Sequence, residues 1–158
     1  MKLKTQMIVI ALGLAVSISP VWSADKQLSP EAGPAIVGVW EVTRHGVNCN
    51  DPNQEGPPFP ALVTFHLDGT MTADTGGVSN TNEYGSWQRE PGAQNYSFRD
   101  RWNGYDENGA FAYYGVITAS IHLTDANNHT YSATIELFDT DGNLFFTACG
   151  AGTGERFQ

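Results

Sequence analysis

The sequence predicts an all-β fold, eight strands in an antiparallel up-and-down meander that closes into a barrel. Three observations lead there. Eight segments alternate in polarity or concentrate β-branched and aromatic residues, clusters of Gly, Pro, Asn and Asp separate them, and no window carries apolar residues at helical spacing. In order, the segments are 36–44, 61–67, 70–74, 84–90, 96–103, 110–123, 130–138 and 144–151. Asp106-Glu107-Asn108-Gly109, Asp125 to Asn128 and Asp139-Thr140-Asp141-Gly142-Asn143 supply turn chemistry between the later ones. Alternation is clearest in the sixth, where Phe111, Tyr113, Gly115, Ile117, Ala119, Ile121 and Leu123 share one face. Only Ser29-Pro30-Glu31 has the residues to open a turn of helix. Closing a meander removes its exposed edges. The short connections favour a barrel over a two-sheet sandwich, which needs longer crossings.

Composition bounds the rest. A chain of 158 residues has room for one domain, and 41% hydrophobic residues against 16% charged are enough for a core. The first residues read as a secretory signal peptide: Lys2 and Lys4 precede an apolar run from Met7 to Ile18, and Val21-Trp22-Ser23 puts small residues before a cleavage point. Cleavage after Ser23 divides the chain into a signal peptide, 1–23, and one barrel domain, 24–158. The apolar run is shorter than the roughly 20 residues a spanning helix needs, so the mature chain is expected to be exported to a periplasm or medium without stable membrane insertion. Losing two lysines and no acid takes the formal charge from −9 to −11. Such a charge argues against a nucleic-acid partner, which is held through cationic contacts, and for a soluble monomer.

The first segment contains Gly38-Val39-Trp40, and Arg156 stands two residues from the C-terminus. With the strand spacing, these residues resemble the lipocalin or wider calycin pattern, in its shorter bacterial form. The resemblance implies that Trp40 sits at the closed end of the barrel with Arg156 packed across it, beside Gly38. A guanidinium stacked on an indole face is worth about 0.5 to 2 kcal/mol, so the arrangement is sound on physical grounds as well.

Two cysteines in an exported chain imply one disulfide, Cys49–Cys149. If the last segment returns beside the first with Trp40 level with Thr153, Arg44 falls level with Cys149 and Cys49 lies just past the strand end. The bridge would then tie the longest connection, 45–60, to the closing strand. That connection is rich in Gly, Pro and Asn and ends in Gly56-Pro57-Pro58-Phe59-Pro60, a stiff stretch whose aromatic is placed to cover the barrel mouth.

An eight-stranded barrel has an interior that is either filled by side chains or open to one small ligand. Candidate ligand-binding residues in the lumen are Phe65, Trp87, Tyr96, Phe98, Trp102, Tyr113, Ile117, Tyr131 and Phe146, because small-molecule sites are chiefly apolar and aromatic. Asp100 shares a strand face with Tyr96, Phe98 and Trp102, so inward aromatics bring a carboxylate inward too. It is the candidate catalytic residue; an ion pair with Arg89 or an outward arginine is the structural alternative. His66, His122 and Glu136 fall on outward parities. Four histidines without metal-ligand spacing predict no metal site, and Asp139 to Asn143 reads as a hairpin turn, since its glycine is displaced from the position a calcium loop requires.

These readings point to an exported monomer that binds a small apolar or aromatic molecule in its lumen and needs no cofactor. The alternative is a cofactor-free isomerase or cyclase on a related barrel, resembling allene oxide cyclase, in which Asp100 or a tyrosine moves a proton. A third reading, a filled barrel serving as inhibitor or surface partner, predicts no cavity.

Overall fold

The computed structural model describes residues 34–74 and 81–158. The signal-peptide reading of 1–23 and the turn expected at Ser29-Pro30-Glu31 lie outside the described residues. Nine strands occur in order: β1 (Gly38–Asn48), β2 (Asp51–Glu55), β3 (Phe59–Phe65), β4 (Thr70–Asp74), β5 (Glu83–Arg89), β6 (Asn95–Tyr105), β7 (Phe111–Leu123), β8 (Asn128–Asp139) and β9 (Leu144–Arg156). There is no helix among the described residues. β1 and β3 to β9 pair antiparallel with their chain neighbours, and β9 pairs back onto β1, so eight strands close into an up-and-down barrel.

Where the strands end differs from the sequence reading in two places. The stretch 45–60 is not an irregular connection: β1 continues to Asn48 and folds back into β2, with Val47 opposite Glu55 and Asn48 opposite Asp51. β2 has no barrel face to bury, so Gln54 and Asp51 bond each other and no apolar alternation marks it. The second difference is register. Trp40 stands opposite Arg156 rather than Thr153, and Val47 rather than Arg44 stands opposite Cys149. The cause is that β9 does not stop at Ala151 but runs through a glycine-rich stretch to Arg156.

Those glycines are part of a consistent packing rule. Large inward side chains lie flat over glycines directly opposite them: Trp102 over Gly115, Tyr113 over Gly104, Tyr131 over Gly152 and His129 over Gly154. A Cβ on Gly115 would come within 2.0 Å of the Trp102 ring, and one on Gly154 within 2.1 Å of His129. Inward glycine thus makes room for a ring from the neighbouring strand, which stabilises a pairing that glycine alone would weaken.

Hairpin turns use one device repeatedly. Asp106 Oδ1 accepts from the backbone N–H of Asn108 and Ala110, and Asp139 Oδ1 from those of Asp141 and Asn143. Gly109 and Gly142 then supply φ of +77° and +86°, which other residues adopt at a cost. Asp139 is therefore occupied in closing the hairpin between β8 and β9.

Candidate ligand site in the barrel lumen

One end of the barrel is sealed. Trp40 is fully buried and donates from Nε1 to the Ile36 carbonyl at 2.8 Å. The Arg156 guanidinium lies 4.3 Å from the centre of the Trp40 ring and donates to the carbonyls of Val37, Ala126 and Ala35. Gly38 has φ +135°, and a Cβ there would lie 2.5 Å from Arg156 Nη1. Gly38, Trp40 and Arg156 thus meet at this end. Above them Phe65, Trp87, Tyr96 and Phe98 form a ring cluster with centroids 5.9 to 6.3 Å apart, packed with Val42, Val63, Met71 and Ile121. Residual space here is about 10 Å³, room for one water at most.

A charged layer crosses the middle of the lumen. Arg44 Nη1 donates to both oxygens of Glu83, at 2.8 and 3.0 Å, with both side chains buried. Asp100, 2% exposed, lies beside this pair on β6, its Cβ set against the bare backbone of Gly85 on β5. Neither Asp100 oxygen has a hydrogen-bond partner among the described residues, although Glu83 is near enough for its charge to oppose ionisation. Burial, then Glu83, pushes the Asp100 carboxyl up to about 8, against a smaller opposing pull from Arg44. The partner expected from sequence was Arg89 or an outward arginine. Arg89 instead donates to the Ala93 carbonyl, and the cation near Asp100 is Arg44, which points inward two residues beyond Val42.

On the mouth side of this layer the lumen is open. A cavity of about 250 Å³ is walled by Phe59, Phe98, Trp102, Ile117, Tyr131, Ala133, Ile135 and Ala148, with Arg44 and Glu83 among its lining residues. Of the nominated lumen residues, Phe98, Trp102, Ile117 and Tyr131 meet there. Phe65, Trp87 and Tyr96 belong to the packed half, Tyr113 lies over Gly104 with its ring facing Phe145, and Phe146 is 52% exposed at the rim. Asp100 is not in the cavity wall; Glu83 and Arg44 stand there. A larger depression, about 890 Å³, opens on the outer surface between Glu41, Thr43, Leu62 and Glu155.

Sequence reasoning missed Arg44, Glu83, Phe59 and Ile135. Arg44 was legible, since Trp40, Val42 and Arg44 share a parity. Glu83 shares the parity of Trp87 but fell one residue before the segment read as a strand. Phe59 sat in the stretch taken for a lid, and it forms one edge of the cavity while remaining 44% exposed.

The disulfide expected from sequence is present: Cys49 and Cys149 are bonded, with Cα atoms 5.2 Å apart, and Cys149 borders the cavity. Bonds of this kind persist in oxidising compartments. No family model and no curated protein matches the chain.

Proposed function

We propose that this chain is an exported binding protein that holds one compact, largely apolar molecule in the mouth-side half of its lumen. The observation that carries the reading is the cavity: a concave apolar and aromatic space, open at the mouth and ending on a few convergent polar groups, is the usual form of a small-molecule site. Export rests on the signal-peptide pattern of 1–23, with the disulfide in support. In this reading the mature protein acts as a monomer, without cofactor, nucleic acid or membrane insertion. The lipocalin-like pattern is consistent with the closed antiparallel barrel.

Native mass spectrometry of the mature protein purified from its own host tests the proposal. A discrete extra mass, lost on denaturation, is the expected result. A bare protein mass, together with no uptake from a panel of small aromatic compounds, counts against it.

A second reading is a proton-moving isomerase or cyclase, and the buried carboxyl of Asp100 is what favours it. Because Asp100 stands behind Glu83, it would act on the substrate through that residue. Asp100→Asn separates the two readings once the bound molecule is known. A binder keeps its affinity within a few fold, whereas an isomerase loses turnover with its fold intact.

A further inference from the structure

The polar layer at the floor of the cavity has unused hydrogen-bond donors but no unused charge. Arg44 reaches Glu83 through Nη1 alone, so Nε and Nη2 have no partner among the described residues, and neither is sealed from open space. The Tyr131 hydroxyl is likewise without a hydrogen-bond partner there, and its ring forms part of the cavity wall. Glu83 already balances the charge of Arg44. Asp100, buried beside the Glu83 carboxylate, is in the environment that keeps a carboxyl neutral.

From this geometry we infer that the site selects uncharged ligands: a single-ring aromatic molecule whose carbonyl oxygen accepts from Arg44 and Tyr131, in preference to a carboxylate of the same shape. The inference rests on the lumen-binding reading and names the ligand class for that site. An anionic end would enter a largely apolar space where, among the described lining residues, the groups able to carry positive charge already face carboxylates, Arg44 facing Glu83 and His45 facing Glu55, and its charge would stay uncompensated. A carbonyl satisfies the idle donors without adding charge. Size points the same way, because about 250 Å³ is below the roughly 300 to 1,000 Å³ of sites for drug-sized molecules. The flat walls of Phe98, Trp102 and Tyr131 suit a ring.

The test uses three probes of one skeleton, acetophenone, ethylbenzene and benzoate, titrated at pH 7 into the mature, disulfide-bonded protein labelled with nitrogen-15. Amide shifts at Tyr131, Ile135 and Ala148 report occupancy of the lumen. Acetophenone is expected to bind about tenfold more tightly than ethylbenzene, as a hydrogen bond from a charged donor warrants, with benzoate weakest. Tyr131→Phe, which keeps the ring over Gly152, should narrow the gap between ketone and hydrocarbon by about threefold. Equal binding of acetophenone and ethylbenzene at these amides overturns the polar anchor while leaving the lumen-binding reading standing. Tightest binding by benzoate overturns the preference for uncharged ligands. If no probe shifts the lumen amides at millimolar concentration, both the anchor and the lumen-binding reading fall.

Discussion

Two buried side chains tie the stability of this barrel to pH, and they act in opposite directions. Asp100 keeps its proton in the folded protein up to about 8, whereas an unfolded aspartate releases it near the ordinary value of 3.8. Its contribution is therefore fully present below about pH 4 and is lost as pH rises through 8. Replacing it by the neutral amide in Asp100→Asn removes that loss. The variant should gain on the order of a few kcal/mol relative to the parent between pH 5 and pH 8, measured as the change in urea midpoint with pH. An unchanged slope would show that Asp100 titrates normally. His129 works from the acid side. It is buried against Trp40, with ring centroids 4.8 Å apart, and neither nitrogen has a partner among the described residues. Burial lowers its affinity for a proton, to about 4 from 6.5. The stability this supplies is present above about pH 6.5 and lost as pH falls through 4. His129→Phe keeps a flat ring over Gly154 and should remove the acid-side loss between pH 6.5 and 4, visible in thermal melts across that range.

At the scale of strands, the rings laid over opposing glycines decide which neighbours pair and in what register. Gly115→Ala puts a methyl 2.0 Å from the Trp102 ring, and Gly152→Ala puts one 2.2 Å from the Thr43 carbonyl oxygen, which belongs to the backbone of β1. Each change is expected to cost about 1 to 3 kcal/mol in urea unfolding, with Gly152→Ala the more severe because backbone cannot swing aside. Gly109→Ala is the contrast. Nothing lies within 4 Å of the added methyl, so only the positive φ opposes it, at a cost of about 1 kcal/mol. Equal effects at all three positions would mean that the cradles are looser than their geometry indicates. These glycines also explain where strand reading stopped early. Beyond Ala151 the glycines of 152–154 leave no alternation of side chains to read, and the rings of Tyr131 and His129 lie over Gly152 and Gly154 where the strand continues. β2 was missed for a related reason, since a strand outside the barrel wall has no buried face to imprint on the sequence.

For the whole molecule, closure is the controlling event. β1 and β9 pair from Trp40–Arg156 to Val47–Cys149, so the last strand must find the first across most of the chain. The disulfide fastens that seam, with a sequence separation of 100 residues. Chain entropy sets an upper figure of about 4.7 kcal/mol for a loop of this length, lost on reduction or in the Cys49→Ala/Cys149→Ala variant. Chemical denaturation of the oxidised and reduced forms checks this. A difference near zero would mean that barrel closure holds the seam unaided. The disulfide also borders the cavity, so its loss should loosen the mouth before the sealed end, a gradient that amide hydrogen exchange would register as faster exchange near Cys149 than near Trp40.

The amino-acid sequence by itself determined the all-β class, the eight barrel strands, the disulfide and the strand face that Asp100 shares with Tyr96, Phe98 and Trp102, because each depends on local alternation, turn chemistry or a count of two cysteines. Tertiary structure alone decided the register of the seam, the partner that faces Asp100 and the division of the lumen. Those outcomes depend on which side chains from distant strands arrive at the same level. Arg44 of β1, Glu83 of β5, Asp100 of β6 and Tyr131 of β8 are separated by long stretches of chain, and no local pattern encodes their meeting. Whether a barrel is filled or hollow is likewise a sum over facing volumes. Here tryptophan, phenylalanine and methionine fill the sealed half, while alanine and glycine on β8 and β9 leave the mouth half open.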